Sequence, residues 1–317
     1  MNFMKIPTFN DIKIAHSRIK NSINHTPIMS SSYINSITNS KIYFKCENFQ
    51  KIGAFKYRGA TNSVLSLTDE EAFSGVATHS SGNHAQALAL AALKRNIKAY
   101  IVMPNNAPSV KINAVKDYGA EIIFCEPTLA ERESTLNRIV KETNAKFIHP
   151  FKHFEVIAGQ GTVALEIFEE IDNLDLIVAP VGGGGLISGT TIATLHLSPR
   201  TKILAAEPEG ADDAFRSFYG DKLVPSLTPD TICDGLLTSL GEINFQIIKK
   251  SVSEIFTAND FEIIEAMKIV WERMKIIIEP SSAVSLAIIL KNKDYFKNQK
   301  IAIILSGGNV DLNKLPW

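Results

Sequence analysis

The sequence predicts an α/β protein built on two mainly parallel, twisted sheets flanked by helices. Three observations carry this. Short apolar runs alternate with amphipathic stretches of helical length, first over residues 75–149 and again over 161–305. Strands separated by such helices pair in parallel through right-handed crossovers. The runs Ala99 to Met103 and Ile122 to Cys125 are apolar without alternation, as strands covered on both faces are. Finally, 317 residues with 45% hydrophobic content can bury a core large enough for two domains or one large α/β unit.

In order along the chain, Thr8 opens an amphipathic helix with apolar positions Phe9, Ile12, Ile14, Ile19 and Ile23, closed by the breaker His25-Thr26-Pro27. Residues 42–46 form a strand. Thr68-Asp69-Glu70-Glu71 has capping-box spacing and starts a short helix. The first alternation predicts strands at 75–79, 99–103, 121–125 and 147–149, with helices at 83–95, 109–118 and 128–143 between them. The second predicts a helix at 161–170, a strand at 176–181, a helix at 186–195 and a strand at 203–206, followed by a polar stretch with Pro208, Gly210, Gly220, Pro225 and Pro229. Residues 259–278 read as one long helix with Ile255, Phe261, Ile264, Met267 and Val270 on a face. A helix at 281–290 and a buried strand at 301–305 complete the pattern, with no internal repeat.

Charge and cysteine usage narrow the partners. Lys plus Arg equals Asp plus Glu at 33 each, so no net field draws the chain to nucleic acid or to an anionic membrane, and a small molecule is the expected partner. Cys46, Cys125 and Cys233 are an odd number in no metal-ligand spacing, which suits a reducing compartment. Met1 to His16 lacks a signal-peptide core, and no run reaches the roughly 18 apolar residues of a membrane span, so a cytoplasmic protein is expected.

Chemistry concentrates at strand-to-helix turns. In Gly53-Ala54-Phe55-Lys56-Tyr57-Arg58-Gly59-Ala60, Lys56 stands between two aromatics; desolvation lowers an amine's pKa and favours the nucleophilic form that a Schiff-base lysine needs. A lysine in such a place more often snorkels from a surface. Gly182, Gly183, Gly184 and Gly185 follow a buried strand and precede a helix, so successive backbone amides and the helix N-terminus converge as a cradle for one phosphate. His79-Ser80-Ser81-Gly82-Asn83-His84 occupies the matching turn of the first alternation and suits either an anion or an ordinary helix cap. Ser306 in Ser306-Gly307-Gly308-Asn309 ends the last strand, where open α/β sheets bind ligands. Glu207-Pro208-Glu209-Gly210-Ala211-Asp212-Asp213 packs four carboxylates around a bend, which is either a divalent-cation site or, more commonly, a solvated acidic loop.

Together these motifs resemble the fold type II enzymes that use pyridoxal 5'-phosphate (PLP), a tryptophan synthase β-like fold, and within them the serine/threonine dehydratase group that includes the serine racemases. The similarity extends from Ala15-His16 through His149-Pro150, Ala158-Gly159-Gln160-Gly161-Thr162 and Ile278-Glu279-Pro280 to Asp311-Leu312. It implies a large PLP-binding domain of residues 1–74 and 153–317, a small domain of 75–152, and a homodimer. It implies that Lys56 holds PLP as a Schiff base and is the base on one face of the substrate, with Ser81 as acid/base on the other. Asn83 would bond the phenolic oxygen, Gly182 to Gly185 the phosphate, and Ser306 the pyridine nitrogen, where a neutral partner favours elimination and racemisation. Ser80, Ser81, His84, Arg132 and Thr238 match substrate-binding positions, and Glu207, the Ala211 carbonyl and Asp213 a site for Mg2+, or Ca2+ or Mn2+. Ser31, Ser32, Lys51, Lys275 and Asn309 resemble contacts for an activating ATP. The implied activity is serine racemisation with L-serine dehydration to pyruvate and ammonia. Dehydration of L-threo-3-hydroxyaspartate or L-threonine is the alternative, and a catalytically silent PLP-binding protein is set against the intact lysine and glycine loop. Three departures bear on substrate and nucleotide control: Ala85 where animal racemases have glycine, Phe151 in place of an amide, and Thr238 in place of serine.

Overall fold

Local signals start most helices where the sequence places them. The computed structural model describes residues 5–317; Met1 to Met4, part of the stretch read above for a signal peptide, lie outside the described residues. Thr8 and Thr68 each accept from the backbone three residues on while Asp11 and Glu71 return the bond, so both capping boxes form, opening α1 (Phe9–Ile19) and α4 (Asp69–Phe73). Ser31 caps α2 (Ser32–Thr38). The helix carrying the lysine is α3 (Lys56–Ser66), with Lys56 as its first residue. The first alternation becomes β3 (Val76–His79), α5 (Asn83–Arg95), β4 (Ala99–Pro104), α6 (Ser109–Asp117), β5 (Glu121–Cys125), α7 (Leu129–Thr143) and β6 (Lys146–Phe147). His149 lies beyond the end of β6, so the predicted last strand of this run is shorter than its apolar pattern.

The second alternation departs further. Helix α8 (Phe154–Glu170) begins seven residues before the predicted 161, running through Gly159 and Gly161. Those glycines are there for close helix packing: a Cβ on Gly159 would lie 2.7 Å from the Gly59 Cα of α3, and one on Gly161 2.9 Å from the Gly189 carbonyl oxygen. After β7 (Leu176–Pro180), α9 (Gly185–Leu197) and β8 (Lys202–Pro208), the polar stretch contains α10 (Asp213–Tyr219) and leads into α11 (Glu242–Ser251) and β9 (Glu254–Ala258), three elements its turn residues concealed. Ile255 is therefore a strand residue, not part of a helix face. Helix α12 (Asp260–Met274) is shorter than expected: Lys275 adopts φ 59 and ends it, and Phe261 is exposed while Ile263, Ala266, Met267, Val270 and Met274 are buried. In α1, Ile14 is exposed and Ala15 takes its place in the core. Helices α13 (Pro280–Lys291) and α14 (Lys293–Phe296) precede β10 (Lys300–Leu305).

With β1 (Ile28–Met29) and β2 (Lys41–Cys46), the strands form a six-stranded sheet in the order β1-β2-β10-β7-β8-β9 and a four-stranded sheet in the order β5-β4-β3-β6. Among the described residues the one antiparallel strand pair is β1 with β2. In the larger sheet Ile301, Ile303 and Leu305 pack towards α12 and α13, and Ala302 and Ile304 towards α8 and α9, so β10 is apolar on both faces. Tyr57, Ala60 and Val64 of α3 share a core with Leu88, Ile101 and Met103, joining the lysine helix to the four-stranded unit.

Candidate active site

Parallel pairing brings the chemical motifs to one edge. Strands β2, β10 and β7 are adjacent and in register, and they are followed respectively by Lys56, Ser306 and Gly182. In the smaller sheet, adjacent β3 and β6 are followed by Ser80 to His84 and by His149 to Phe151. The carboxyl edges meet where Lys56 Nζ donates to the Pro150 carbonyl at 3.1 Å. Burial of the amine pulls Lys56 down to about 8, against the charge of Glu279, which favours the ammonium. Only Phe55 stands beside the amine, with its ring centre 5.2 Å away; Tyr57 turns towards Lys51, so one of the two expected aromatics does not face the lysine.

The glycine loop is built to stay open. A Cβ on Gly182 would stand 2.9 Å from Leu236 Cα, one on Gly183 2.4 Å from the Phe151 ring, and one on Gly184 2.7 Å from Asn244 Cβ. Gly184 also has φ 88, a left-handed conformation that favours glycine. Among the described residues no backbone carbonyl accepts from the amides of Gly182 to Gly185, and α9 starts at Gly185 with its positive end on the loop. A cradle of free amides at a helix N-terminus fits a phosphate.

At the end of β10, the strand next to β7, Ser306 is buried, its hydroxyl 3.1 Å from that of Ser282, which also bonds both backbone groups of Gly307. No carboxylate replaces the neutral hydroxyl at this position. Asn83 Nδ2 donates to both oxygens of Glu279, at 3.0 and 3.2 Å, and its Oδ1 accepts from Asn309 Nδ2 at 2.9 Å. Glu279, which sequence reasoning assigned no role, also accepts from the Asn309 amide. Burial and the charge of Asp234 push it up to about 7, while the Asn83 and Asn309 donors and Lys111 hold it down. Its one sequence signal was its place before Pro280 at a helix start. Ser81 takes part in no described hydrogen bond, whereas Ser80 Oγ accepts from Gly82.

Imidazoles surround the lysine in neutral form. His84 Nε2 donates to the Ile148 carbonyl at 3.2 Å, leaving Nδ1 buried without a partner, and burial together with Lys56 lowers its pKa well below the usual range. His149 Nδ1 accepts from the amides of Phe151 and Lys152, and burial and the Lys152 charge bring it to about 3. Arg132 lies in the first turn of α7, near His79, with Nε buried and unpartnered. Thr238 is exposed on the segment between Leu236, which packs on Gly182, and Gly241, which donates to the Gly183 carbonyl.

The remaining expected residues lie apart. Glu207 is the penultimate residue of β8 and its two oxygens accept from the amides of Ala214 and Phe215; Asp213 Oδ2 accepts from Leu240, but its Oδ1 is buried without a partner. Burial pushes Asp213 up to about 6 and Glu207 well above the carboxylate range, with Asp213 adding to the latter. Among the described residues no three His, Cys, Asp or Glu side chains cluster as a metal site, so two carboxylates and the buried Ala211 are what this site offers. Ser31 is engaged as a helix cap, Lys51 Nζ donates to the Ser22 carbonyl, and Asn309 belongs to the Asn83 network, while Ser32 and Lys275 are exposed.

A desolvated lysine, an open phosphate cradle and a neutral serine, each following one of three adjacent strands, define an enzyme that holds a phosphate-bearing carbonyl cofactor. Comparison with known proteins identifies which. A family model described as pyridoxal-phosphate dependent enzyme matches residues 19–307, and the chain belongs to that family. It is 51% identical to the beta-hydroxyaspartate dehydratase of Paracoccus denitrificans (strain Pd 1222), over 99% of this chain and 100% of that one. It is 50% identical to the serine racemase of Dictyostelium discoideum, over 99% and 98%. The solved structure of maize serine racemase superposes with a TM-score of 0.96 at 43% identity, covering 98% of this chain and 95% of that one. The fold is that of the fold type II PLP enzymes.

Proposed function

We propose that this protein is a PLP-dependent serine racemase that also dehydrates L-serine to pyruvate and ammonia. The observation that carries the reading is the desolvated Lys56 amine at the place where the two carboxyl edges meet, with the Ser80 to His84 turn following β3 of the smaller sheet. PLP, held at Lys56, supplies the electron withdrawal that acidifies the substrate Cα–H. Lys56, near pH 8, removes the proton from one face and Ser81 holds or returns one on the other. The free amides at the start of α5, with Ser80 and His84, hold the substrate carboxylate, and the neutral imidazoles of His84 and His149 keep a second positive charge away from the lysine. Asn83 carries the phenolic oxygen, Gly182 to Gly185 the phosphate, and Ser306 the pyridine nitrogen.

Around this site, residues 75–152 form a small domain that closes on the large domain of 1–74 and 153–317; the Lys111–Asp234 ion pair across the cleft supports it. Arg132 and Thr238 close over substrate. Glu207, the Ala211 carbonyl and Asp213 hold Mg2+ or a similar cation, supported by the orphaned Asp213 Oδ1. ATP is an activator held by Ser31, Ser32, Lys51, Lys275 and Asn309; Arg273, stacked 4.0 Å over the Tyr33 ring, brings the neighbours of Lys275 and Ser32 together. The protein works as a cytoplasmic homodimer on a free amino acid. Three buried, unpaired cysteines suit a reducing compartment, and among the described residues no helix is long and apolar enough to cross a membrane.

Ser81→Ala tests the reading. It should reduce D-serine formation by about 10² to 10⁴ while dehydration of L-serine survives, and Lys56→Ala should abolish both. Undiminished racemisation by Ser81→Ala would remove Ser81 as the second acid/base, and a parent that gives keto acid without D-serine would be a dehydratase. That second reading is favoured by the similarity to beta-hydroxyaspartate dehydratase and by the unpartnered Arg132 Nε, which suits a second substrate carboxylate. Measuring D-isomer and keto acid from L-serine, L-threonine and L-threo-3-hydroxyaspartate separates the two.

A further inference from the structure

Asn244 lies on α11 and is fully buried. Its Nδ2 donates to the Gly183 carbonyl at 2.5 Å and to the Phe151 carbonyl at 2.9 Å, while its Oδ1 accepts from Ser188 Oγ at 3.1 Å. Two carbonyls facing the nitrogen and a hydroxyl facing the oxygen permit only one orientation of the amide. The Gly241 amide adds a second bond to the Gly183 carbonyl, at 3.2 Å.

A peptide unit is planar and trans, so a carbonyl held on one side turns the next residue's N–H to the other. Tying the Gly183 carbonyl back to α11 therefore presents the Gly184 N–H on the open side of the loop. Four glycines by themselves impose no such choice, because glycine samples both signs of φ. An outside clamp must select the conformation in which Gly184 sits at φ 88.

We infer that Asn244 is a positioning residue for cofactor binding, fixing the Gly183–Gly184 peptide with its amide aimed at the phosphate. Its second bond, to the Phe151 carbonyl, braces the amide from the other side of the loop. Donors fixed before binding cost no reorganisation when the anion arrives. This inference rests on the glycine loop being the phosphate site.

The test compares dissociation constants of PLP and of pyridoxal, which lacks the phosphate, for the apoenzymes of the parent, Asn244→Ala and Asn244→Asp. Asn244→Asp keeps the shape and turns the donor into an acceptor against two carbonyls; far-UV circular dichroism shows which variants fold, and either one suffices. Misplacing one charge-assisted donor should cut the preference for PLP over pyridoxal by about 10- to 100-fold. Affinity for pyridoxal should change by less than about 3-fold, which a general loss of structure would not produce. The phosphorus-31 resonance of bound PLP should shift in the same variants. If the parent prefers PLP strongly and a folded variant keeps that preference, Asn244 is not the clamp. If the parent shows no preference for the phosphate form, the glycine-loop reading fails and the inference falls with it.

Discussion

Replacing Arg58 by Met should destabilise this protein more than almost any other single change outside the lysine. Arg58 is fully buried and bonds Glu47 at 2.7 and 2.8 Å and Glu166 at 2.6 and 2.7 Å, with Lys45 Nζ 2.6 Å from Glu166. Lys45 and Arg58 balance Glu47 and Glu166, so the network is neutral, and Arg58→Met leaves one uncompensated buried carboxylate. Breaking a buried pair on one side costs about 3–5 kcal/mol. For a chain of this size that lowers Tm by roughly 4–8 °C. An independent figure comes from Glu166. Burial alone would raise its pKa, but Arg58 and Lys45 hold it at about 2 instead of 4.5, a difference of roughly 3 kcal/mol. A carboxylate with a lowered folded pKa stabilises above its unfolded value, and that stability is lost as pH falls from about 4.5 through 2. The gap in Tm between parent and Arg58→Met should therefore be full at pH 7 and narrow towards pH 3. Thermal unfolding by circular dichroism on apo and PLP-loaded protein measures it. A Tm within 2 °C of the parent at pH 7, or a gap that does not change down to pH 3, would refute the argument, and with it the view that this network anchors the helix that begins at Lys56.

Three further outcomes follow from the geometry. A raised carboxyl pKa favours the folded state at low pH, so metal-free Asp213, near 6, should weaken the fold as pH rises through that value. EDTA should then lower Tm mainly above pH 6, and Asp213→Asn should remove the response to Mg2+, which thermal shift with added metal will show. Gly183→Ala, whose Cβ would fall 2.4 Å from the Phe151 ring, should weaken PLP binding by more than about 10-fold while leaving secondary structure intact; unchanged PLP affinity would place the phosphate elsewhere. If residues 75–152 close on the rest of the chain as proposed, Lys111→Met should weaken the closed form by removing the partly exposed ion pair to Asp234; such pairs give about 0.2–1 kcal/mol, so KM for L-serine should rise roughly 1.5- to 5-fold. High salt should imitate the change in the parent and not in the variant.

What the sequence determined by itself is local and chemical. The Thr8 and Thr68 capping boxes, the 83–95 helix and the four-glycine loop depend on bonds and sterics between residues a few positions apart, so their signatures survive without the rest of the chain. The turns that carry Lys56, Ser81 and Ser306 were legible for the same reason. Tertiary packing decided the rest. Gly159 and Gly161 look like helix breakers until α8 lies on α3 and α9, where their missing side chains let backbones approach. Helices α10 and α11 and strand β9 were hidden by the prolines and glycines before them, because turn residues mark where regular structure stops and not how soon it resumes. Periodicity did not tell Phe261 from Ile263, since which face of α12 is buried depends on where α13 and β10 lie. Glu279 and Asn244 carried no motif, because a buried carboxylate and a buried amide acquire their roles only from the partners that folding brings from 196 and 61 residues away.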